Sequence, residues 1–306
     1  MKQIRLAALI LVGIGCSSFM AACTRASLEP GVEKGFIIQP DDPADSTNSL
    51  VPTAMKANGP PPTRQTPTVL VCWGTGGEIT EEYISSEILP KRLDFKLYLP
   101  PCYQEQPERN YPVLYLIHGK SFTHDQWGRI GADEMADKLI AAGETAPFII
   151  VMPRDRIWVD PPDDKFGDAI IAELVPWIDE NYRTIPERKY RAIGGLSRGA
   201  AWAVHLGLGN WEIFGAVGAH SMALFWGDVR SIPLWLEEMQ TAGTPRIFVD
   251  VGRRDFEEIR NSTEWFGELL RVQDIPHEWY FFTGAHNEEY WSSHMEQYIR
   301  FYAFEW

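Results

Sequence analysis

A serine, an aspartate and a histidine occur in an order along the chain that suits nucleophilic catalysis. Residues 195–199 (GLSRG) fit the pattern G-x-S-x-G, with Ser197 at its centre. A serine hydroxyl is a poor nucleophile at neutral pH, so it needs a base, and that base needs an acid to hold its tautomer. Asp255 and His286 follow downstream. We therefore expect Ser197 as nucleophile, His286 as base and Asp255 as acid, with Asp250 as a competing acid whose position inside an apolar run favours a structural role.

Attack on a carbonyl also requires two donors for the oxyanion that forms. The backbone N–H of Arg198 follows the nucleophile and supplies the first. The loop after an apolar run at 111–118, with the sequence HGKS, supplies the second, which we assign to the backbone N–H of Lys120. We interpret His118 as a buried structural histidine because it ends that apolar run.

Short apolar runs, separated by helical patterns, would place these residues at one edge of a sheet. The runs cover 111–118, 148–152, 190–194, 214–219, 246–251 and 279–282. A stripe at three-to-four spacing predicts a helix over 168–182. Alternation of this kind predicts an α/β domain, a mostly parallel sheet with helices on both faces. Two earlier runs, 69–86 and 93–99, have hairpin spacing and predict an antiparallel N-terminal edge.

Composition and charge exclude several classes of protein. The 306 residues carry a formal net charge of −14 and no basic run, which argues against nucleic acid as a partner. With 45% hydrophobic residues the chain can bury a core. Four cysteines lack C-x-x-C spacing, and no histidine shows the spacing of a metal ligand, so no metal site is expected.

The motifs together resemble the putative esterase family. YPVLYLIHG with Trp127 soon after, ELVPWIDENYRT, GGLSRGA, the loop 252–255 and GAHNEEYW occur in the family's order, over about residue 69 to the C-terminus. That family includes esterase D, feruloyl esterases, enterochelin-type esterases and mycolyltransferases. The resemblance implies an α/β-hydrolase fold and serine acyl-ester chemistry without a metal or cofactor. Lys120 departs from the small residues commoner after the HG pair, which bears on the shape of the acyl pocket.

Substrate contacts are harder to place from the sequence. We name His220, Trp127 and Trp202 as candidate substrate-binding residues, since they lie near the carboxyl ends of predicted strands. More generally, Trp127, Trp158, Trp202, Trp226 and Trp291 either line an aromatic cleft for a ring or sugar or pack the core. The expected substrate is a small-molecule or glycoside ester.

The N-terminal segment predicts an export signal followed by a tether. Lys2 and Arg5 precede an apolar run at 6–14 that is too short to span a bilayer. Ala21 and Ala22 before Cys23 resemble the lipobox of bacterial lipoproteins. We therefore expect a signal peptide at 1–22, lipid on Cys23, a flexible Pro/Ser/Asp-rich tether at 23–66 and the esterase domain at 67–306. The protein would be exported and anchored to the cell envelope, or secreted if the lipobox is not used.

Two questions stay open at this stage. Cys72 and Cys102 either form a disulfide in an oxidising compartment or remain two half-buried thiols. Ester hydrolysis is the leading hypothesis for function. The alternatives are transfer of the acyl group to a sugar or lipid hydroxyl and a catalytically silent binding protein that keeps the fold.

Overall fold

The computed structural model describes residues 76–157, 159–241 and 243–306. The chain divides into two units, and all described residues belong to the second, Pro67–Trp306. The expected signal peptide, the tether, Cys23, Cys72 and Trp158 lie outside the described residues.

One sheet of eight strands organises the described part of the chain. The strand order is β1-β2-β4-β3-β5-β6-β7-β8. Strand β1 pairs antiparallel with β2, and β2 pairs antiparallel with β4, whereas all pairs from β4 to β8 are parallel. The strands are Glu78–Ile84 (β1), Leu93–Leu99 (β2), Val113–Ile117 (β3), Ile149–Pro153 (β4), Arg191–Leu196 (β5), Ala216–His220 (β6), Arg246–Gly252 (β7) and Glu278–Phe282 (β8). The predicted mostly parallel sheet with an antiparallel edge is confirmed.

Both faces of the sheet are covered, which explains why its central strands are apolar without alternation. Along β3, Val113, Tyr115 and Ile117 pack in one hydrophobic cluster. The alternate residues Leu114 and Leu116 pack in the other. Successive side chains of a strand point to opposite faces, so the two clusters are the two layers between sheet and helices. The predicted helices on both faces are confirmed.

Helices connect the strands and cover the sheet. They are Gln126–Arg129 (α1), Ala132–Ala141 (α2), Phe166–Ala169 (α3), Val175–Asn181 (α4), Arg198–Gly209 (α5), Ile232–Gln240 (α6), Glu257–Val272 (α7), Glu288–Ser293 (α8) and Met295–Tyr302 (α9). Of these described helices, none is long and apolar enough to cross a membrane.

The helix predicted over 168–182 is interrupted. A π-helical turn, Ile170–Leu174, separates α3 from α4. Pro176 is the second residue of α4 and has no amide N–H to donate to the preceding turn, while its ring crowds the carbonyl there. A wider turn is one way for a helix to accommodate such a residue, and apolar periodicity alone does not reveal it.

Candidate active site

Ser197 occupies a strained turn between β5 and α5. Its backbone angles are φ 56° and ψ −115°, a conformation that a residue with a side chain adopts rarely. A Cβ on Gly195 would lie 2.0 Å from the carbonyl oxygen of Gly199, and one on Gly199 would lie 2.1 Å from that of Ile117. Both glycines are therefore required for α5 to start this close to β5 and β3, and the turn presents Ser197 at the carboxyl edge of the sheet.

Backbone hydrogen bonds hold the turn in place. The Ser197 N–H donates to the carbonyl of His220, at 2.9 Å, which ties the serine to the end of β6. The Ser197 carbonyl accepts from the Ala223 N–H at 3.1 Å, in the loop after β6. Such over-determination is what allows strained backbone to persist at a functional site.

Asp255 and His286 form a pair after the next two strands. Nδ1 of His286 lies 2.8 Å from Oδ1 of Asp255, whose side chain is fully buried. The ring approaches the carboxylate off the line of a good hydrogen bond, and Nδ1 has no other hydrogen-bond partner among the described residues. Bonds of this type often align fully only when substrate is bound. Asp255 is itself fixed, because Oδ1 accepts the backbone N–H of Phe256 at 2.7 Å.

Strand topology brings the three predicted residues to one edge of the sheet. Ser197 follows β5, Asp255 follows β7 and His286 follows β8, and these strands are parallel. The His286 ring has Phe256 at 5.3 Å and Trp291 at 5.0 Å between ring centroids. The exposed fraction of its side chain is 15%, so the imidazole is accessible while its neighbours fix its plane.

The two amides expected to hold an oxyanion are available for it. Arg198 is the first residue of α5, and the first N–H groups of a helix have no partner within the helix. The N–H of Gly119 donates to Oε1 of Gln126 at 2.8 Å. The next amide, that of Lys120, makes no internal hydrogen bond to another described residue.

His118 is structural, as the sequence predicts. It is 2% exposed, and burial lowers its pKa. Its Nε2 accepts the backbone N–H of Asp155 at 3.0 Å, and Nδ1 lies 2.8 Å from the carbonyl of Gly119. A neutral ring protonated on Nδ1 satisfies both contacts. His118 thereby shapes the loop that carries Lys120.

The Arg198 side chain has a role that the sequence did not reveal. Its guanidinium is buried and donates to Asp155, Asp160 and Asp164 and to the carbonyls of Ile157 and Val159. The loop of residues 155–164 is thus fastened to the residue directly after the nucleophile. Burial, followed by the charge of Asp155, raises the pKa of Asp164 to about 6, although the Phe166 N–H and Arg198 act in the opposite direction. The four aspartates in DRIWVDPPDDK are the sequence feature that could have indicated a buried cation beside this loop.

Three candidate substrate-binding residues are buried in the core, which corrects that expectation. Trp127 donates its indole N–H to the carbonyl of Ile117, and Trp202 donates to Asp155. His220 contacts Asp250 and Tyr302 through its two ring nitrogens. All three are at most 1% exposed. His220 ends β6, whereas Trp127 and Trp202 lie on α1 and α5. The direction in which such side chains point cannot be derived from apolar periodicity.

An open apolar pocket lies beside the turn that holds Ser197. It has a volume of about 470 Å³ and runs between the loop after β6 and the first turns of α7. We call it the Trp226 pocket; its lining is Ala223, Leu224, Trp226, Val229, Glu258, Ile259, Asn261, Ser262 and Trp265. Trp226 is 84% exposed, and Ala223 is the residue bonded to the Ser197 carbonyl. Among the tryptophans that the sequence suggested for an aromatic cleft, Trp226 is exposed and lines this pocket, whereas Trp291 is buried.

Metal ligands are not clustered in the part of the chain that the structure describes: no group of three or more His, Cys, Asp or Glu side chains could hold an ion there. The arrangement that is present can perform acyl chemistry, since a strained serine, a histidine–aspartate pair and two free amides lie at one edge.

Comparison with known proteins agrees with this chemistry. A family model described as Putative esterase matches residues 86–302. The chain is 31% identical over 205 residues to an endo-1,4-beta-xylanase/feruloyl esterase of Xylanibacter ruminicola, covering 61% of this chain and 26% of that protein. It is 29% identical over 229 residues to an esterase of Mycobacterium tuberculosis, covering 58% of this chain and 49% of that protein. The chain thus spans about a quarter and about half of these two relatives.

Solved structures show the same architecture. A ferulic acid esterase superimposes with a TM-score of 0.68 at 27% identity, covering 76% of this chain and 99% of that one. An S-formylglutathione hydrolase of Staphylococcus aureus gives a TM-score of 0.63 at 15% identity, covering 76% and 99%. The second likeness concerns the fold alone.

Proposed function

Because the chain belongs to the putative esterase family and has the α/β-hydrolase fold, we propose that it hydrolyses carboxylic esters, with Ser197, His286 and Asp255 as its catalytic triad. The observation that carries this proposal is the strained turn at Ser197 on the same sheet edge as the His286–Asp255 pair. A serine at such a turn is exposed to substrate, and the pair supplies the base that it needs.

In the proposed reaction, His286 takes the proton of the Ser197 hydroxyl as Oγ attacks the ester carbonyl. The negative charge that develops on the carbonyl oxygen is held by the N–H groups of Arg198 and Lys120. Collapse of the tetrahedral intermediate breaks the ester C–O bond, and His286 gives its proton to the leaving alkoxide. Water, deprotonated by His286, then attacks the acyl carbon; the bond between this carbon and Oγ of Ser197 breaks, His286 returns the proton to Oγ, and the carboxylic acid leaves. Asp255 holds the imidazole tautomer and stabilises the imidazolium in both halves.

We propose an aromatic acyl group, such as a hydroxycinnamoyl group, as the part of the substrate that the Trp226 pocket takes. The pocket is mainly apolar, with an exposed indole for a ring to contact and Glu258 and Asn261 as polar groups at its wall. Relatives named as feruloyl or ferulic acid esterases support this substrate class. The alcohol part of the ester would then face the open edge of the sheet.

Hydrolysis of methyl ferulate and methyl acetate by the full-length chain tests both parts of the proposal. We expect Ser197→Ala to abolish hydrolysis of both esters, whereas Ser231→Ala, a matched change away from the turn, leaves both rates unchanged. Wild-type turnover by Ser197→Ala would exclude this triad.

Replacement of Trp226 tests the acyl pocket separately. Trp226→Ala removes most of the exposed ring surface, so we expect kcat/KM to fall about tenfold for methyl ferulate and less than about twofold for methyl acetate. Phe304→Ala, which removes an exposed ring elsewhere, is the control. Equal losses for the two esters would contradict an aromatic acyl pocket at Trp226.

We also propose that the protein is exported and carries lipid on Cys23, on the strength of the lipobox-like residues before it. Labelling with an alkyne fatty acid in a bacterial host should mark the wild type and Cys16→Ala but not Cys23→Ala. Labelling of Cys23→Ala as strong as that of the wild type would contradict lipid attachment at Cys23.

A further inference from the structure

Asp250 is a fully buried carboxylate that the proposed reaction does not use. It lies near the carboxyl end of β7 with 0% exposure. Oδ1 is 2.6 Å from Nδ1 of His220, while Oδ2 accepts the hydroxyls of Tyr290 at 2.5 Å and Tyr298 at 2.9 Å. A buried carboxylate needs such partners, and this one joins β6 and β7 to the two last helices of the described chain.

Tyr290 connects this carboxylate to the segment that carries His286. Its ring packs directly on Gly284, where a Cβ would lie 2.2 Å from Cδ2 of Tyr290. Gly284 precedes His286 by two residues and has a φ of 159°. The Tyr290 N–H also donates to Oδ1 of Asn287, the N-cap residue of α8, at 3.0 Å. Burial raises the pKa of the Tyr290 phenol well above its usual value, so the hydroxyl stays protonated and donates to Asp250.

Asp250 is also connected to the segment that carries Ser197. Its backbone carbonyl accepts the N–H of Ser221 at 2.8 Å, and the preceding residue, His220, accepts the N–H of Ser197 at 2.9 Å. Trp291 adds a second connection, since its indole N–H donates to Oγ of Ser221 at 3.4 Å and its ring lies beside His286. Hydrogen bonds and ring contacts therefore connect both Ser197 and His286 to the end of β7.

We propose that the hydrogen bond from Tyr290 to Asp250 positions His286 relative to Ser197, so that Tyr290 is a positioning residue for the proposed ester hydrolysis, on which this inference rests. The base must lie within hydrogen-bond reach of the serine hydroxyl, and small displacements at this distance are costly to the rate. A tyrosine that packs on Gly284 and is fixed at its hydroxyl leaves the His286 loop little freedom to move.

Tyr298 provides a matched comparison. Its hydroxyl donates to the same oxygen of Asp250, but it lies on α9 and packs on the His220 ring, with 3.8 Å between ring centroids. Tyr290→Phe and Tyr298→Phe thus remove the same kind of donor from the same buried carboxylate. A purely structural role predicts similar effects of the two changes, whereas positioning of His286 predicts an effect on catalysis only for Tyr290→Phe.

The test measures thermal stability, kcat and KM for an ester that the wild type hydrolyses, and the rate of labelling by a fluorophosphonate. We expect both variants to lose stability. Tyr290→Phe should lower kcat and the labelling rate about tenfold, with KM changed less than about twofold. Tyr298→Phe should stay within about twofold of wild type in kcat, KM and labelling rate. If Tyr290→Phe folds poorly, Trp291→Phe is the second variant to test. It keeps a ring beside His286 but removes the hydrogen bond to Ser221, and we expect it to lower the labelling rate in the same way.

Different results overturn the two proposals. Equal kcat and labelling rates in Tyr290→Phe and Tyr298→Phe would exclude the positioning role while leaving ester hydrolysis intact. A wild-type chain that neither hydrolyses esters nor reacts with the fluorophosphonate would instead exclude the proposed function.

Discussion

At the scale of single residues, Arg198 contributes twice to the candidate site. Its N–H is one of the two proposed oxyanion donors, and its side chain binds three of the four aspartates of the 155–164 loop. A guanidinium suits this task because it presents five donors in a fixed plane. The position of the 155–164 loop and the position of the Arg198 N–H are therefore coupled through Arg198.

The Asp164 carboxyl should make stability depend on pH. Burial raises its pKa from 3.8 to about 6 in the folded protein, so between about pH 4 and 6 the folded state holds a proton that the unfolded state has released. Stability relative to Asp164→Asn should therefore fall by roughly 1 to 3 kcal/mol as pH rises through this window, and be constant below and above it. Urea unfolding of both proteins from pH 3.5 to 7 measures the difference. A rise with pH would contradict it.

The sequence predicted that Ser197, Asp255 and His286 lie at one edge of the sheet, where the structure has them, because each follows an apolar run whose end is visible in the sequence. It did not locate the partners of Arg198, since these lie 34 to 43 residues away on a loop whose course has no periodic signal. It also misplaced His220, which fills the core beside Asp250 rather than facing substrate.

At the scale of elements, close approach between α9 and the sheet explains two glycines in adjacent strands. The Tyr302 hydroxyl lies where a Cβ would be on Gly194 in β5 and on Gly218 in β6. Only glycine leaves room for it, and the hydroxyl reaches His220 at 2.7 Å through this gap. The strands themselves were predictable from apolar runs, but this packing of a helix hydroxyl between them was not.

Gly218→Ala should therefore be destabilising. The new Cβ would lie 1.9 Å from the Tyr302 hydroxyl oxygen, so β6 or α9 must move. We expect the free energy of unfolding to fall by roughly 1 to 3 kcal/mol, measured by urea denaturation. Gly227→Ala is the control, since its nearest atom would be 3.5 Å away. Equal stability of the two variants would show that α9 does not pack this tightly.

At the scale of the whole molecule, Cys102 is disulfide-bonded. The sequence left open a bridge between Cys72 and Cys102, and Cys72 lies outside the described residues. A bridge that starts at Cys102 fastens the chain just after β2, at the antiparallel edge of the sheet. Such a bond fits a chain that is expected to leave the reducing cytosol.

Reduction should therefore lower the stability of the full chain. We expect Cys102→Ser to cost about 2 to 4 kcal/mol of unfolding free energy, because the unfolded chain gains freedom when the bridge is lost. Dithiothreitol should lower the Tm of the wild type to that of Cys102→Ser and leave the variant unchanged. A wild-type Tm that does not respond to full reduction would contradict a stabilising bridge.

Reaction of the full-length chain with a fluorophosphonate, followed by mass spectrometry of its peptides, identifies the nucleophile. We expect a single adduct on Ser197 in the wild type, no adduct in Ser197→Ala, and slow formation in His286→Ala, where the base is missing. An adduct on another serine at the wild-type rate, or labelling of Ser197→Ala as fast as that of the wild type, would contradict a Ser197–His286–Asp255 triad.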